Sequence, residues 1–331
     1  MGKLLWRDIR ASLGRFIAIA LIIFLGVVIF VGVKATGPGL IDSATTMLNQ
    51  HQLSDVSLLS DKGITSDDVK AAEKVNGAKA QSVKFKYVLG GQNKDAVALY
   101  GYTNNRGLNQ LEVTSGHLPR KNNEIILDQR AQQQNHYKLG DTYTFENQAH
   151  LKRQTYKIVG FANSPLYIDN TTRGSTNIGT GQVAYFAYIR SSQMNLPTAT
   201  LLNVRFDSLA TKDPFSKAHR HAVNQKVNQL KPIFKERKQQ RQAEILAEGN
   251  RKLSPATKRL TAAQAKITQA KQQLNKQSNG RLKTTAKLTA AQSKINQQRA
   301  KLTAAKTQLA KSATPTYTWS TREDLAGFPA Y

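Results

Sequence analysis

The chain has no cysteine, and only 21 of its 331 residues are acidic against 48 lysines and arginines. Without cysteine there are no disulfides, no thiolate metal sites and no cysteine nucleophile. No stretch matches the phosphate-cradling GxxxxGK[ST] pattern or the G-x-S-x-G elbow. The "GTGQV" stretch at 179–183 has glycines but no lysine and no helix pattern after it. The six histidines are scattered, and His219 and His221 stand two apart on an expected helix, so they face different ways. Asp61, Asp67 and Asp68 lack the spacing of a calcium loop. No residue therefore earns a catalytic, cofactor-binding or metal-ligating role, no cofactor is expected, and the chain is not read as an enzyme.

What the sequence does have is one long apolar run. Phe16 to Val33 is 18 uncharged residues closed by Arg15 and Lys34. At ~1.5 Å per residue such a helix just crosses ~30 Å of hydrocarbon. A core helix of a soluble protein would keep a polar face, and this run has none. A cleaved leader usually has an apolar region of about 7–15 residues, shorter than this. Its only small-residue cleavage site, Val33-Lys34-Ala35, is spoiled by the lysine. Lys3, Arg7, Arg10 and Arg15 precede the run against one acid, Asp8, and only Lys34 follows closely. The excess of positive charge predicts a cytoplasmic amino terminus, residues 1–15, a transmembrane helix over 16–33, and an extracytoplasmic remainder from residue 34.

Residues 34–215 read as a mixed, strand-rich α/β domain. Residues 35–53 continue the span as a helix or stalk interrupted by the "TGPG" break at Thr36–Gly39. "DVSLL" (55–59), "SVKFKYVLG" (82–90), "AVALYGY" (96–102), "NEIILD" (123–128), "LGDTYTF" (139–145), "QTYKIVGF" (154–161), "VAYFAYI" (183–189) and "LLNVRF" (201–206) have the alternation or short apolar runs of strands. "ITSDDVKAAEKVNG" (64–77) is a punctuated helix: Thr65 or Ser66 caps it, Asp67 and Asp68 sit in the first turn, and Gly77 closes it. The "TTRGSTNIGTG" cluster at 171–181 is a loop.

Residues 216–312 change character. Proline, glycine and aromatics nearly vanish. Leu253, Leu260, Ile267, Leu274, Leu288, Ile295, Leu302 and Leu309 fall on a seven-residue spacing whose one missed slot is Arg281. Ala263, Ala270, Ala291 and Ala305 follow three positions later, giving a seam of large a and small d residues. "LTAAQ" recurs at 260–264 and 288–292, four heptads apart. A lone helix cannot bury that seam, so an antiparallel coiled-coil hairpin is expected, with its tip at 278–281 or at 249–255. Between Lys217 and Lys311 there are 23 basic residues and three acids, Glu236, Glu244 and Glu248. Outside a membrane, such a segment is either a solvated helical face without a specific partner or a surface for anionic lipid or wall polymer rather than nucleic acid. Residues 313–331 read as a strand and loop returning to the domain, ending before any further span.

The order of these parts resembles the FtsX-like, MacB-type permease family of ABC transporters. The residues that carry the likeness are "WRDIRASLGRF" (6–16), "SGHLPRKNNEIILD" (115–128), "KLGDTYTF" (138–145), "YKIVGFANSPLYI" (156–168) with "RGSTNIGTG" (173–181), and "TREDLAGFPAY" (321–331). The resemblance implies an α+β fold with a MacB-type periplasmic core. It implies a dimer of permease chains, set in the lipid bilayer and driven by a separate cytoplasmic ABC ATPase. ATP-driven motion would be transmitted through the spans to the extracytoplasmic domain. It also implies further spans, which makes this chain the amino-terminal portion of such a permease, from a truncated or split gene. The alternative is a single-pass anchored binding protein whose basic coiled coil holds anionic lipid or wall polymer.

Overall fold

The computed structural model describes residues 13–104, 106–168, 172–277 and 286–325. Residues 1–12, the 278–281 candidate for the hairpin tip and the last six residues lie outside them. Helix α1 (Leu13–Gln50) begins with the apolar run, of which Leu13–Ala35 is long and apolar enough to cross a membrane. Among the described residues it is the one such helix, and none of that window is buried against the rest of the protein. A core helix is thereby excluded. The expected break at Thr36–Gly39 is absent: the backbone stays helical to Gln50.

Two sheets follow. Sheet I has the order β11 (Tyr317–Thr321), β1 (Val56–Ile64), β10 (Ala199–Phe206), β2 (Ala78–Val83), all antiparallel. Sheet II has the order β3 (Phe85–Gly90), β4 (Asp95–Tyr102), β9 (Tyr185–Arg190), β6 (Glu124–Asp128), β8 (Thr155–Asn163), β5 (Glu112–Gly116), with β7 (Thr142–Thr144) also paired to β8. It is mixed: β4 with β9 and β6 with β8 are parallel. Its central strands are apolar throughout because both faces are buried. In β9, Tyr185, Ala187 and Ile189 enter one core with Val97, Leu127 and Phe161. Phe186 and Tyr188 enter another with Ala98, Tyr100 and Ile126. This second core lies on the side that receives the end of α1, through Leu48 and Leu53.

Three expectations need correction. "SVKFKYVLG" is not one strand: the chain leaves sheet I after Val83 and joins sheet II at Phe85. The crossing is pinned at Lys84, whose carbonyl accepts the Gly101 N–H (2.8 Å) while Thr200 bridges the Phe85 N–H and C=O. Alternation alone cannot reveal a change of sheet. Strand β5 and helix α3 (Gln129–Asn135) carry no strong periodicity and were not expected. The candidate tip at 249–255 is interior to α4 (Lys217–Gln277), an unbroken helix that takes up both Pro232 and Pro255.

Helix α2 (Ser66–Ala72) starts at a Thr65 capping box closed by Asp68. It and the first third of α4 cover the outer face of sheet I. Val223, Val227, Leu230 and Phe234, spaced four, three and four apart, are buried against Val56, Leu58, Leu202, Val204 and Phe206. At roughly 1.5–3 kcal/mol per fully buried apolar side chain, this stripe fixes the helix to the sheet. Beyond the sheet, α4 pairs with α5 (Ala286–Ser312). Leu260, Ile267 and Ile295 form the buried seam, flanked by Ala263, Leu288, Ala291 and Leu302. The two "LTAAQ" copies face each other: Gln264 and Gln292 exchange side-chain hydrogen bonds at 3.0 and 2.8 Å. Near the hairpin base, Gly249 receives Leu309. A Cβ there would sit 2.3 Å from a Leu309 methyl. The glycine taken for a turn is a notch for close helix packing.

Candidate functional site

Five segments converge where α1 ends. After Gln50 the chain turns through Gln52 at a φ of 52° and enters β1. The Leu53 carbonyl, exposed by that turn, accepts two guanidinium hydrogen bonds: Arg205 Nη1 at 3.0 Å and Arg322 Nη2 at 2.9 Å. Arg322 Nε also donates to the Ser54 carbonyl (3.3 Å), and Arg205 Nη2 donates to Asn49 Oδ1 (2.7 Å). Asn49 in turn donates to the Ala210 carbonyl. Asp55 accepts the Phe206 N–H on Oδ2 at 2.7 Å, and its Oδ1 lies 2.8 Å from Arg322 Nη2 as an ion pair outside hydrogen-bond alignment. His219, in the first turn of α4, stands 3.8 Å from the same oxygen. Arg220, next to it, pairs with Glu323 in the turn after β11.

The charges here are deeply buried: Asp55 is 1% exposed, Arg205 and His219 3%, Arg322 5%. Burial pushes the Asp55 carboxyl up and Arg322 opposes it. Burial pushes the Arg322 guanidinium down and Asp55 opposes that. His219 is pushed down to about 4, first by burial and then by Arg322, so it is neutral at physiological pH. Two guanidiniums against one carboxylate leave an excess positive charge. The Leu53 and Ser54 carbonyls just past α1 and the Asn49 side chain take it up. The cluster thus ties α1, β1, β10, α4 and the turn after β11 at one buried point. A buried pair is strongly destabilised when one partner is removed, so these segments separate only at a cost of several kcal/mol.

A second tie holds the root of the hairpin. Arg237 of α4 donates to Asp68 Oδ1 at 2.8 Å and Gln240 at 2.6 Å, and lies 3.5 Å from Glu244. Asp68 uses its other oxygen on the Thr65 N–H and hydroxyl, both at 2.8 Å. Capping, the role expected for Asp68, is thus half of what it does. Phe234 packs edge-on against Tyr317 and Trp319 of β11, which brings the outgoing helix and the returning strand together. In sheet II, Asp128 holds Arg173 from the glycine-rich loop with two hydrogen bonds, 2.6 and 3.1 Å, and caps α3 through the Arg130 N–H. Beside this pair and the end of α1 lies a cleft of about 260 Å³ lined by Met47, His51, Arg130, Tyr167 and Arg173.

Sequence reasoning singled out none of Asp55, Arg205 or Arg322. They come from the turn before β1, from β10 and from the segment after β11, and nothing local links them. One signal was legible: Arg205 interrupts an apolar strand between Val204 and Phe206, and a charge in a buried strand needs partners. Among the described residues no three histidine or acidic side chains gather as metal ligands.

A family model, the MacB-like periplasmic core domain, matches residues 11–222, just under two thirds of the chain. Among solved structures, the extracellular domain of the noncanonic ABC-type transporter YknZ from Gram-positive bacteria is similar over 50% of this chain and 87% of that one, at 13% identity and a TM-score of 0.31. That likeness is too slight to carry any part of the reading. No curated protein matches the chain.

Proposed function

Since this chain belongs to the MacB-like periplasmic core domain family and is thereby a component of an ABC-transporter permease, we propose that it transmits motion. The motion originates in a separate cytoplasmic ATPase, passes along α1, and reaches the extracytoplasmic domain and its hairpin. In this reading the amino terminus is cytoplasmic, residues from 34 onward lie outside, and the chain works as a dimer without catalysis of its own. The observation that carries it is the convergence at Leu53–Asp55. The exit of the apolar helix, the sheet, the foot of the hairpin and the segment that follows β11 are clamped together by Arg205, Arg322 and Asp55. A shear of α1 reaches sheet I and the foot of the hairpin through that point.

The experiment is affinity purification of the tagged chain from its native membrane, with ATPase activity read in the eluate. Co-purification of an ATPase, with ATP-dependent protection of the hairpin from protease, supports the reading. An Arg322→Met variant is expected to retain the ATPase and lose the ATP-dependent change. Isolation without any ATPase, or an ATP response identical in the variant, would discard it.

A further inference from the structure

The hairpin beyond Glu248 carries a charge pattern that motion transfer does not need. Residues 249–312 contain 15 lysines and arginines and no acidic residue. Thirteen of the 15 are described, and 12 of those are exposed. The 13 described charges, spread over two paired helices about 45 Å long at ~1.5 Å per residue, give one positive charge per ~3.5 Å of hairpin. Self-repulsion of that size opposes the compact state, so the pattern is a standing cost to the hairpin.

Three observations narrow the partner. First, the apolar face is consumed: Leu260, Ile267, Ile295 and their alanine neighbours are shut in the seam. Among the described residues of the segment no large apolar side chain is left exposed to insert into a bilayer, as an interfacial helix must. Second, the segment has no aromatic residue, which removes the stacking platforms that nucleic-acid bases use. Third, the hairpin leaves the domain at the end of β1 opposite α1. Helix α4 starts beside Asp55 at the α1 end of β1 and reaches Lys62 and Asp68 at the far end with Arg241 and Arg237. From there it runs on to Gln277, about 50 Å further. Helix α1 itself continues 15 residues past Ala35, about 22 Å, before the domain begins. That stand-off exceeds twice the ~8–10 Å over which salt screens a charge.

We propose that the distal half of the hairpin, residues 249–277 and 286–312, is a docking rod for a linear polyanion of the cell envelope, a flexible polymer with phosphodiester or carboxylate repeats, and not for lipid headgroups. The inference rests on the extracytoplasmic orientation proposed above. Lysines outnumber arginines here, 11 to 4. They are point charges without a bidentate fork, suited to a polymer held by charge density and free to slide. Helix α4 would then link polymer attachment at one end to the clamp at the other.

The test uses the full chain in uncharged nanodiscs and labelled linear polyphosphate or polyglutamate, read by fluorescence anisotropy. Six exposed residues are replaced together: Lys258, Arg259, Lys266, Lys294, Arg299 and Lys301, each by glutamine. Wild type is expected to bind with a log–log salt slope of about −4, corresponding to roughly six contacts. The variant is expected to lose about a hundredfold or more in affinity at low salt, with unchanged helix content by circular dichroism. Polyphosphate and polyglutamate arms separate the two repeat chemistries. Equal binding by variant and wild type overturns the proposal. So does co-sedimentation with phosphatidylglycerol vesicles that exceeds polymer binding and depends on the same six residues. A Gln272→Cys chain probed with a membrane-impermeant maleimide in intact cells separates the two claims. Labelling only after lysis, with polymer binding intact, refutes the orientation and the envelope partner while the cationic rod stands.

Discussion

Removing Arg237 is expected to weaken the hold on the root of the hairpin. The cost follows from what Asp68 has left. Asp68 is 0% exposed. Its Oδ2 keeps the Thr65 N–H and hydroxyl, while Oδ1 loses its partner altogether in Arg237→Met. Stripping a buried carboxylate of its counter-charge costs 3–5 kcal/mol as a rule. Two surviving hydrogen bonds and the positive pole of α2 place the figure near the bottom, about 3 kcal/mol. Asp68→Asn is milder, about 1.5 kcal/mol, because Arg237 retains Gln240 and Glu244. The double variant no longer buries any charge, so it is expected to cost about 2.5 kcal/mol, less than the sum by ~2. Urea unfolding followed by tryptophan fluorescence reads the right place. Trp319 packs on Phe234 beside this tie, and the chain has one other tryptophan, Trp6. Additivity of the two single changes within ~0.5 kcal/mol would mean that the pair is not coupled and that the hairpin is held by its apolar stripe alone.

Other expectations follow from the clamp and the seam. His219 is neutral when folded, with its pKa pushed down to about 4, but takes a proton below its ordinary 6.5 once unfolded. Its contribution is complete above pH 6.5 and fades toward pH 4, by up to about 3 kcal/mol. Asp213, Lys212 and Arg322 face the same imidazole, and Asp55 has the opposite sign, since its raised carboxyl makes acid favourable to the fold. Unfolding measured across this range should therefore show a slope that His219→Gln removes, and an unchanged slope in the variant counts against the neutral buried imidazole. In the seam, Gln292→Leu alone should cost about 1 kcal/mol by orphaning Gln264, while the Gln264→Leu, Gln292→Leu pair is neutral or stabilising. Thermal melts of helicity decide this, and a single variant as stable as wild type refutes the reciprocal bond.

Helices with a repeating signal were readable from the chain alone. The apolar run was legible from its length and the heptads at Leu253 to Leu309 from their period, and the described residues of both are helical. Strands buried on both faces, such as 183–189 and 123–128, were equally plain because they read as short apolar runs. What escaped were features set by distant partners. The split at Lys84 depends on Gly101 and Thr200. The clamp joins residues 55, 205 and 322, and no local window contains more than one of them. Gly249 shows the same lesson in reverse: its composition suggests a turn, and the facing Leu309 decides otherwise.

The absence of cysteine makes the transmission of motion directly measurable. Spin labels at Thr46→Cys on α1 and Gln239→Cys on α4, both exposed helical positions, report the distance across the clamp by double electron–electron resonance. One narrow distance is expected in the otherwise native chain, broadening into several populations when Arg205 and Arg322 are both replaced by methionine. A distribution equally narrow in that variant, with the fold retained, would mean that α1 and the hairpin are not joined through Leu53 and Asp55.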